Sequence, residues 1–141
     1  MSFISDTALQ QRFVDALNAN EAFTTQAAAF DGSVLLQVDD DKLWLKIYKG
    51  RVIDHEPAAS AFGYTFKFCG SAASWQLLLD GKRRWADLTF PGTRYFTDDP
   101  KLETVGQPHV EIATEGNLLE AARLTEAMFL LAYTLRDTAQ A

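Results

Sequence analysis

Ser33-Val34-Leu35-Leu36-Gln37-Val38-Asp39-Asp40-Asp41-Lys42-Leu43-Trp44-Leu45-Lys46-Ile47-Tyr48 is the stretch that decides the fold. Val34, Leu36 and Val38 alternate with Ser33, Leu35 and Gln37, while Leu43, Leu45 and Ile47 alternate with Trp44, Lys46 and Tyr48. Successive side chains of a strand point to opposite faces, so a period of two marks each run as a strand. The acidic triplet between them reads as a polar turn and Lys49-Gly50 closes the second run, which makes the segment a β-hairpin. Asp39-Asp40-Asp41 lacks the spaced ligands and bidentate Glu of a calcium loop.

Upstream, the period is helical. Leu9, Phe13, Ala16 and Leu17 form an apolar stripe, with Ser5 or Asp6 available as a cap and Asn18-Ala19-Asn20 as a stop. A short second helix carries Phe23, Ala27 and Phe30 before Asp31-Gly32 breaks it. Downstream, Tyr64, Phe66 and Phe68 alternate with Thr65 and Lys67 as a third strand. Gly70-Ser71 then opens a helix with Trp75, Leu78 and Leu79 on one side, ended by Asp80-Gly81 with Gly81 suited to a left-handed cap. From Lys82 to His109 the chain reads mostly as loop, with Trp85 to Phe90 as a candidate strand. His55 and Glu56 fall in a Pro-flanked segment read as solvated loop. Val110 to Thr114 reads as a last strand, and Asn117, with Glu120 at the capping-box position, starts a long helix to about Arg136. Its Leu118, Ala121, Thr125, Met128, Ala132 and Leu135 form one face. Strands in a block with helices before, within and after them predict an α+β fold in a single domain spanning residues 1–141.

Composition narrows the function. The chain is 48% hydrophobic and 23% charged, which is globular rather than disordered. Thirteen Lys and Arg against nineteen Asp and Glu give a net charge of −6, which argues against a nucleic-acid backbone binder and against an anionic membrane surface. The longest wholly apolar run, Ala127 to Tyr133, is far short of the about 20 residues of a spanning helix. No secretory signal opens the sequence and no peroxisomal address ends it, so the expected location is cytoplasmic. A single cysteine, Cys69, excludes an internal disulfide and any multi-cysteine metal site, and reads as a small buried hydrophobe at a strand end.

Catalytic signatures are scarce. There is no phosphate loop, dinucleotide fingerprint or nucleophile elbow. His109-Val110-Glu111 has the H-x-E form of zinc deaminases without their cysteine pair, so no catalytic residue, metal or cofactor is assigned. Lys82-Arg83-Arg84, the basic cluster, could grip an anionic head group, but a solvated loop is the preferred reading. What stands out is a surplus of large apolar side chains: ten Phe, four Tyr and three Trp. Tyr64, Phe66, Phe68, Trp75, Phe90, Tyr95, Phe96, Met128, Phe129 and Tyr133 exceed what a small sheet needs. Together they suggest an interior wide enough for an apolar ligand.

The ordered set of segments resembles the sterol-carrier-protein family. Phe30 to Val38, Leu43 to Ile47 and Gly50-Arg51-Val52 are similar to its opening hairpin. Tyr64 to Phe68, Ser71 to Leu78, Val110-Glu111-Ile112 and Glu115 to Leu118 follow in the family's order. The resemblance covers about residues 22 to 136. It implies a five-stranded, mostly antiparallel sheet with helices on one side enclosing an apolar tunnel, in a bacterial stand-alone form. It also implies non-enzymatic binding of fatty acids, acyl-CoAs or sterol-like lipids, with Trp75, Phe96, Met128, Phe129 and Leu131 among the lining residues. With the aromatic surplus, the candidate ligand-binding set is Phe66, Phe68, Trp75, Phe90, Tyr95, Phe96, Met128, Phe129 and Leu131. Arg83, Arg84 or Arg94 could meet a polar head. A second reading is a cone-shaped α+β enzyme of the cyclase or isomerase kind, which needs His55, His109, Asp54 or Asp87 in a pocket as acid and base. A third is a module that presents its ligand to a partner enzyme or forms a homodimer.

Overall fold

The computed structural model describes residues 2–90 and 110–141. A 3-10 turn at Phe3–Ser5 leads into α1 (Thr7–Ala19) and α2 (Glu21–Gln26), followed by β1 (Asp31–Val38), β2 (Asp41–Tyr48) and β3 (Arg51–Glu56). Then come β4 (Phe66–Gly70), α3 (Ala72–Leu79), α4 (Trp85–Thr89), β5 (Ile112–Gly116), α5 (Leu118–Arg123) and α6 (Thr125–Gln140). The five strands form one mixed sheet in the order β3-β2-β1-β4-β5. Only the β1–β4 neighbours run parallel; the other three pairs are antiparallel.

The hairpin folds as its periodicity predicts. Val34 lies opposite Leu45 and Leu36 opposite Leu43, and Val34, Leu36, Val38, Leu43, Leu45 and Ile47 are all fully buried. With Phe66, Phe68, Val52 and Ile112 they form the sheet face on which the helices pack, in one continuous core. The turn is shorter than the acidic triplet: Asp39 and Asp40 make it, and Asp41 already belongs to β2. The Asp41 carboxylate accepts the Ser2 backbone N–H.

The other face is not left polar. Leu35 and Trp44 are cross-strand partners on it and both are buried. The chain between β3 and β4 crosses beside them: Trp44 Nε1 donates to the Gly63 carbonyl (3.0 Å) and the Thr65 N–H donates to the Ser33 carbonyl (2.9 Å). An indole N–H that is buried needs such an acceptor, which fixes the path of that crossing.

Capping follows the side chains that the sequence supplies. Asp6 accepts from the Ala8 and Leu9 N–H groups to start α1 (2.9 and 3.3 Å). Asn20 ends α1 and caps α2 through the Phe23 N–H (3.1 Å). Ser71 caps α3 through the Ser74 N–H (3.1 Å), and Gly81, at φ +73°, sits just beyond its end.

Four expectations need correction. First, residues 51–56 form a strand, β3, so His55 sits in the sheet rather than in a solvated loop. Its turn is Lys49-Gly50, both at positive φ (51° and 81°), the signature of a type I′ hairpin turn. β3 shows no strand period in the sequence because only Val52 on it is buried and a bulge opposite Lys46 and Ile47 breaks its alternation. Second, β4 starts at Phe66 rather than Tyr64, which lies outside the strand and is partly exposed. Third, Trp85–Thr89 is a helix. The Asp87 carboxylate accepts the Arg84 backbone N–H (3.3 Å), which satisfies a free donor of its first turn. Fourth, the long final helix is two. Leu124 leaves helical geometry (φ −102°, ψ 20°) between α5 and α6, and the Thr125 hydroxyl takes up the Ala122 carbonyl (2.7 Å).

Asn18 docks α1 on the edge strand. Its Nδ2 donates to the Val52 carbonyl (3.0 Å) and its Oδ1 accepts the Val52 N–H (2.8 Å), so one side chain occupies the free side of β3 at that residue. Together with the bulge, this blunts the edge against pairing with another chain. Asn18→Ala leaves both backbone groups without their partner and is expected to cost about 1–3 kcal/mol. Urea unfolding should show a lower midpoint at an unchanged slope, and a midpoint equal to that of the parent would remove Asn18 from this role.

Candidate functional site

β4 and β5 bring Phe68 and Thr114 opposite each other on the helix-facing side of the sheet. Beside them lies a cavity of about 570 Å³, within the range of sites that hold small ligands. Ala113 and Thr114 of β5, Val110 before it and Phe68 of β4 form its floor. Trp85, Thr89 and the adjoining Phe90 form one wall, Leu118, Ala121 and Ala122 of α5 another, and Thr125, Met128 and Phe129 of α6 a third. Phe90 and Leu118 are about half exposed and mark the open rim (49% and 58%).

The wall from α4 is held on three sides. The Trp85 ring meets Phe68 edge-on at 4.9 Å and packs at 5.7 Å from Trp75. The Trp85 backbone N–H reaches the Tyr133 hydroxyl of α6 (3.4 Å). Asp87, nearly buried, pairs with Arg84 (3.2 Å), and this carboxylate raises the pKa of the Arg84 guanidinium above its ordinary value. Arg83 is buried as well, so the Lys82-Arg83-Arg84 cluster is built into the fold rather than solvated throughout.

Among the described residues, the lining side chains are apolar apart from three threonines. Two have their hydroxyls engaged: Thr89 donates to the Trp85 carbonyl (2.8 Å) and Thr125 to the Ala122 carbonyl. No Asp, Glu, His, Lys or Arg is among the described lining residues. His55 and Asp54 are on β3, at the far edge of the sheet, and Asp87 faces Arg84.

The structure brings together Phe68, Phe90, Met128 and Phe129 of the candidate set. Phe66, Trp75 and Leu131 are fully buried in the core and are not among the described lining residues. Tyr95, Phe96, Arg94 and His109 lie outside the described residues. The sequence gives no signal that marks Thr89, Ala113, Thr114 or Ala122 as lining residues. The helical stripe Leu118, Ala121, Thr125, Met128 was legible, but a stripe of small residues reads the same whether it faces packed atoms or a cavity.

Solved structures share this arrangement. A crystal structure of sterol carrier protein 2 matches with a TM-score of 0.64 at 18% identity, over 92% of this chain and 94% of that one. The chain has the sterol-carrier-protein fold. A second match is the solution structure of the conserved hypothetical protein TT1886, possibly sterol carrier protein, from Thermus thermophilus. It gives a TM-score of 0.61 at 17% identity, over 98% and 92% of the two chains. No family profile matches the sequence, and no curated protein does either. The α+β sheet of five mostly antiparallel strands expected from the sterol-carrier likeness is therefore present. Among the described residues, the helix-facing side of the sheet is packed core except at its β4–β5 end, where the cavity lies. No helix of the described residues is long and apolar enough to cross a membrane.

Asp87→Ala removes the acceptor for the Arg84 N–H and the buried partner of its guanidinium. The expected cost is about 1–2 kcal/mol, read as a lower unfolding midpoint. A variant as stable as the parent would mean that the Asp87 carboxylate does not hold α4 in place.

Proposed function

We propose that the protein binds and carries an apolar small molecule in the cavity beneath α5 and α6, without chemically altering it. The observation that carries this reading is the lining itself: an apolar space of about 570 Å³, floored by Phe68 and Thr114 and opening at Phe90 and Leu118. Burial of apolar ligand surface there contributes about 25 cal/mol per Å², offset by the cost of ordering ligand and protein. A fatty-acyl or sterol-like molecule has the required shape and lacks the many polar groups that this lining could not satisfy. The likeness to sterol carrier protein 2 supports the same reading. Phe68, Phe90, Met128 and Phe129 are the contact residues; Phe66, Trp75 and Leu131 support them from the core. Tyr95 and Phe96 remain in the proposed set. In this reading the carrier works in the cytoplasm, and the ligand is taken from or delivered to a partner enzyme or a lipid pool.

Native mass spectrometry of the purified protein, followed by extraction of what dissociates, tests the proposal. One bound lipid per chain is expected, or uptake of one after incubation with fatty acids, fatty alcohols and sterols. Ala121→Trp fills the cavity from α5 and is expected to lower affinity at least tenfold while changing the melting temperature by only a few degrees. An empty parent protein that takes up none of these molecules would sink the proposal.

A further inference from the structure

Thr114 is the third threonine of the cavity and differs from the other two. Its hydroxyl makes no hydrogen bond with any described residue, whereas those of Thr89 and Thr125 are bound to backbone carbonyls. Its register opposite Phe68 puts it on the cavity side of β5, half-buried in a cavity that Phe68, Met128 and Phe129 also line. A hydroxyl can donate one hydrogen bond and accept two, so this position offers a single neutral polar contact in an apolar wall.

We infer that Thr114 anchors the polar end of the ligand, and that the site selects uncharged lipids with one hydroxyl or carbonyl head over lipids with an ionised head. This rests on the carrier reading and narrows its substrate class. A neutral hydroxyl that leaves water for this wall recovers a hydrogen bond from Thr114. A carboxylate in the same place would need a cation or several donors, and the described lining supplies neither. At the rim, Phe90 and Leu118 are equally without charge, so an ionised head held against them gains no ion pair from these two residues. The neutral head therefore points inward, with its chain along α5 and α6 toward the rim.

The test compares dodecanol with dodecanoate at about pH 8, where the acid is fully ionised, by displacement of a fluorescent apolar probe from the intact protein. Dodecanol is expected to bind at least tenfold more tightly than dodecanoate. Thr114→Val, which keeps the shape and removes the hydroxyl, should cut that preference about fivefold, and Thr114→Ser should restore it. Melting temperatures of both variants near that of the parent show that the fold is intact. Equal affinities for the two probes, or a tighter carboxylate, overturn the inference and leave the carrier reading standing. A preference unchanged in Thr114→Val removes Thr114 as the anchor. If neither probe binds, the carrier reading fails and the inference with it.

Discussion

The parallel pairing of β4 with β1 is the constraint on which the rest of the molecule depends. It seats Val34 beside Phe66 and Leu36 beside Phe68, so two large aromatic side chains enter the middle of the helix-facing side. It also requires the chain to leave β3 at one edge of the sheet and return three positions further on, because β4 lies beyond both β2 and β1. That crossing runs over the opposite side of the sheet, where Gly63 and Thr65 bond to Trp44 and Ser33. The burial of Leu35 and Trp44 on that side follows from it. β5, added next to β4, becomes the far edge, and a salt bridge from Lys67 to Glu115 (3.1 Å) ties the two strands.

The aromatic surplus divides between two duties. Phe30, Phe66, Phe68, Trp85 and Trp75 form a continuous seam, each ring 4.9 to 5.8 Å from the next. Most of the seam is closed packing: Phe66 and Trp75 have no exposed surface, and the Trp75 Nε1 donates to the Gln37 carbonyl of β1 (3.0 Å). At Phe68 and Trp85 the seam meets the cavity. The same rings that stabilise the core thus give the cavity a rigid wall, which keeps an apolar space from collapsing when it is empty.

The opposite wall is built differently. α5 has no buried residue, is six residues long and is bounded by Gly116, at φ +104°, and by the break at Leu124. A helix this short draws little stability from its own hydrogen bonds, so its contacts with β4 and β5 hold it. The cavity therefore has one side fixed by aromatic packing and one side of small residues on a lightly held helix.

By itself the sequence determined the elements whose periodicity is strong. The β1–β2 hairpin, the helix starts at Ser5 or Asp6, at Gly70-Ser71 and at Asn117, the stop at Asn18-Ala19-Asn20, and the apolar stripe of Leu118, Ala121, Thr125 and Met128 are all local statements, settled by alternation and by side chains that bond their own backbone. The ordered set of segments was enough to point to the sterol-carrier fold. Tertiary structure decided what depends on contacts distant in the chain. β3 carries a single buried side chain and a bulge, so its pairing with β2 and its tie to Asn18 make it a strand. Trp85–Thr89 has β-compatible residues but becomes a helix because Asp87 satisfies Arg84 and Phe68 receives the Trp85 ring. Whether an aromatic or a small residue fills the core or faces a void depends on the volume left between elements, and no periodicity encodes that volume. For this reason Phe66 and Trp75 lie in the core, while Ala121 and Thr114 face the cavity.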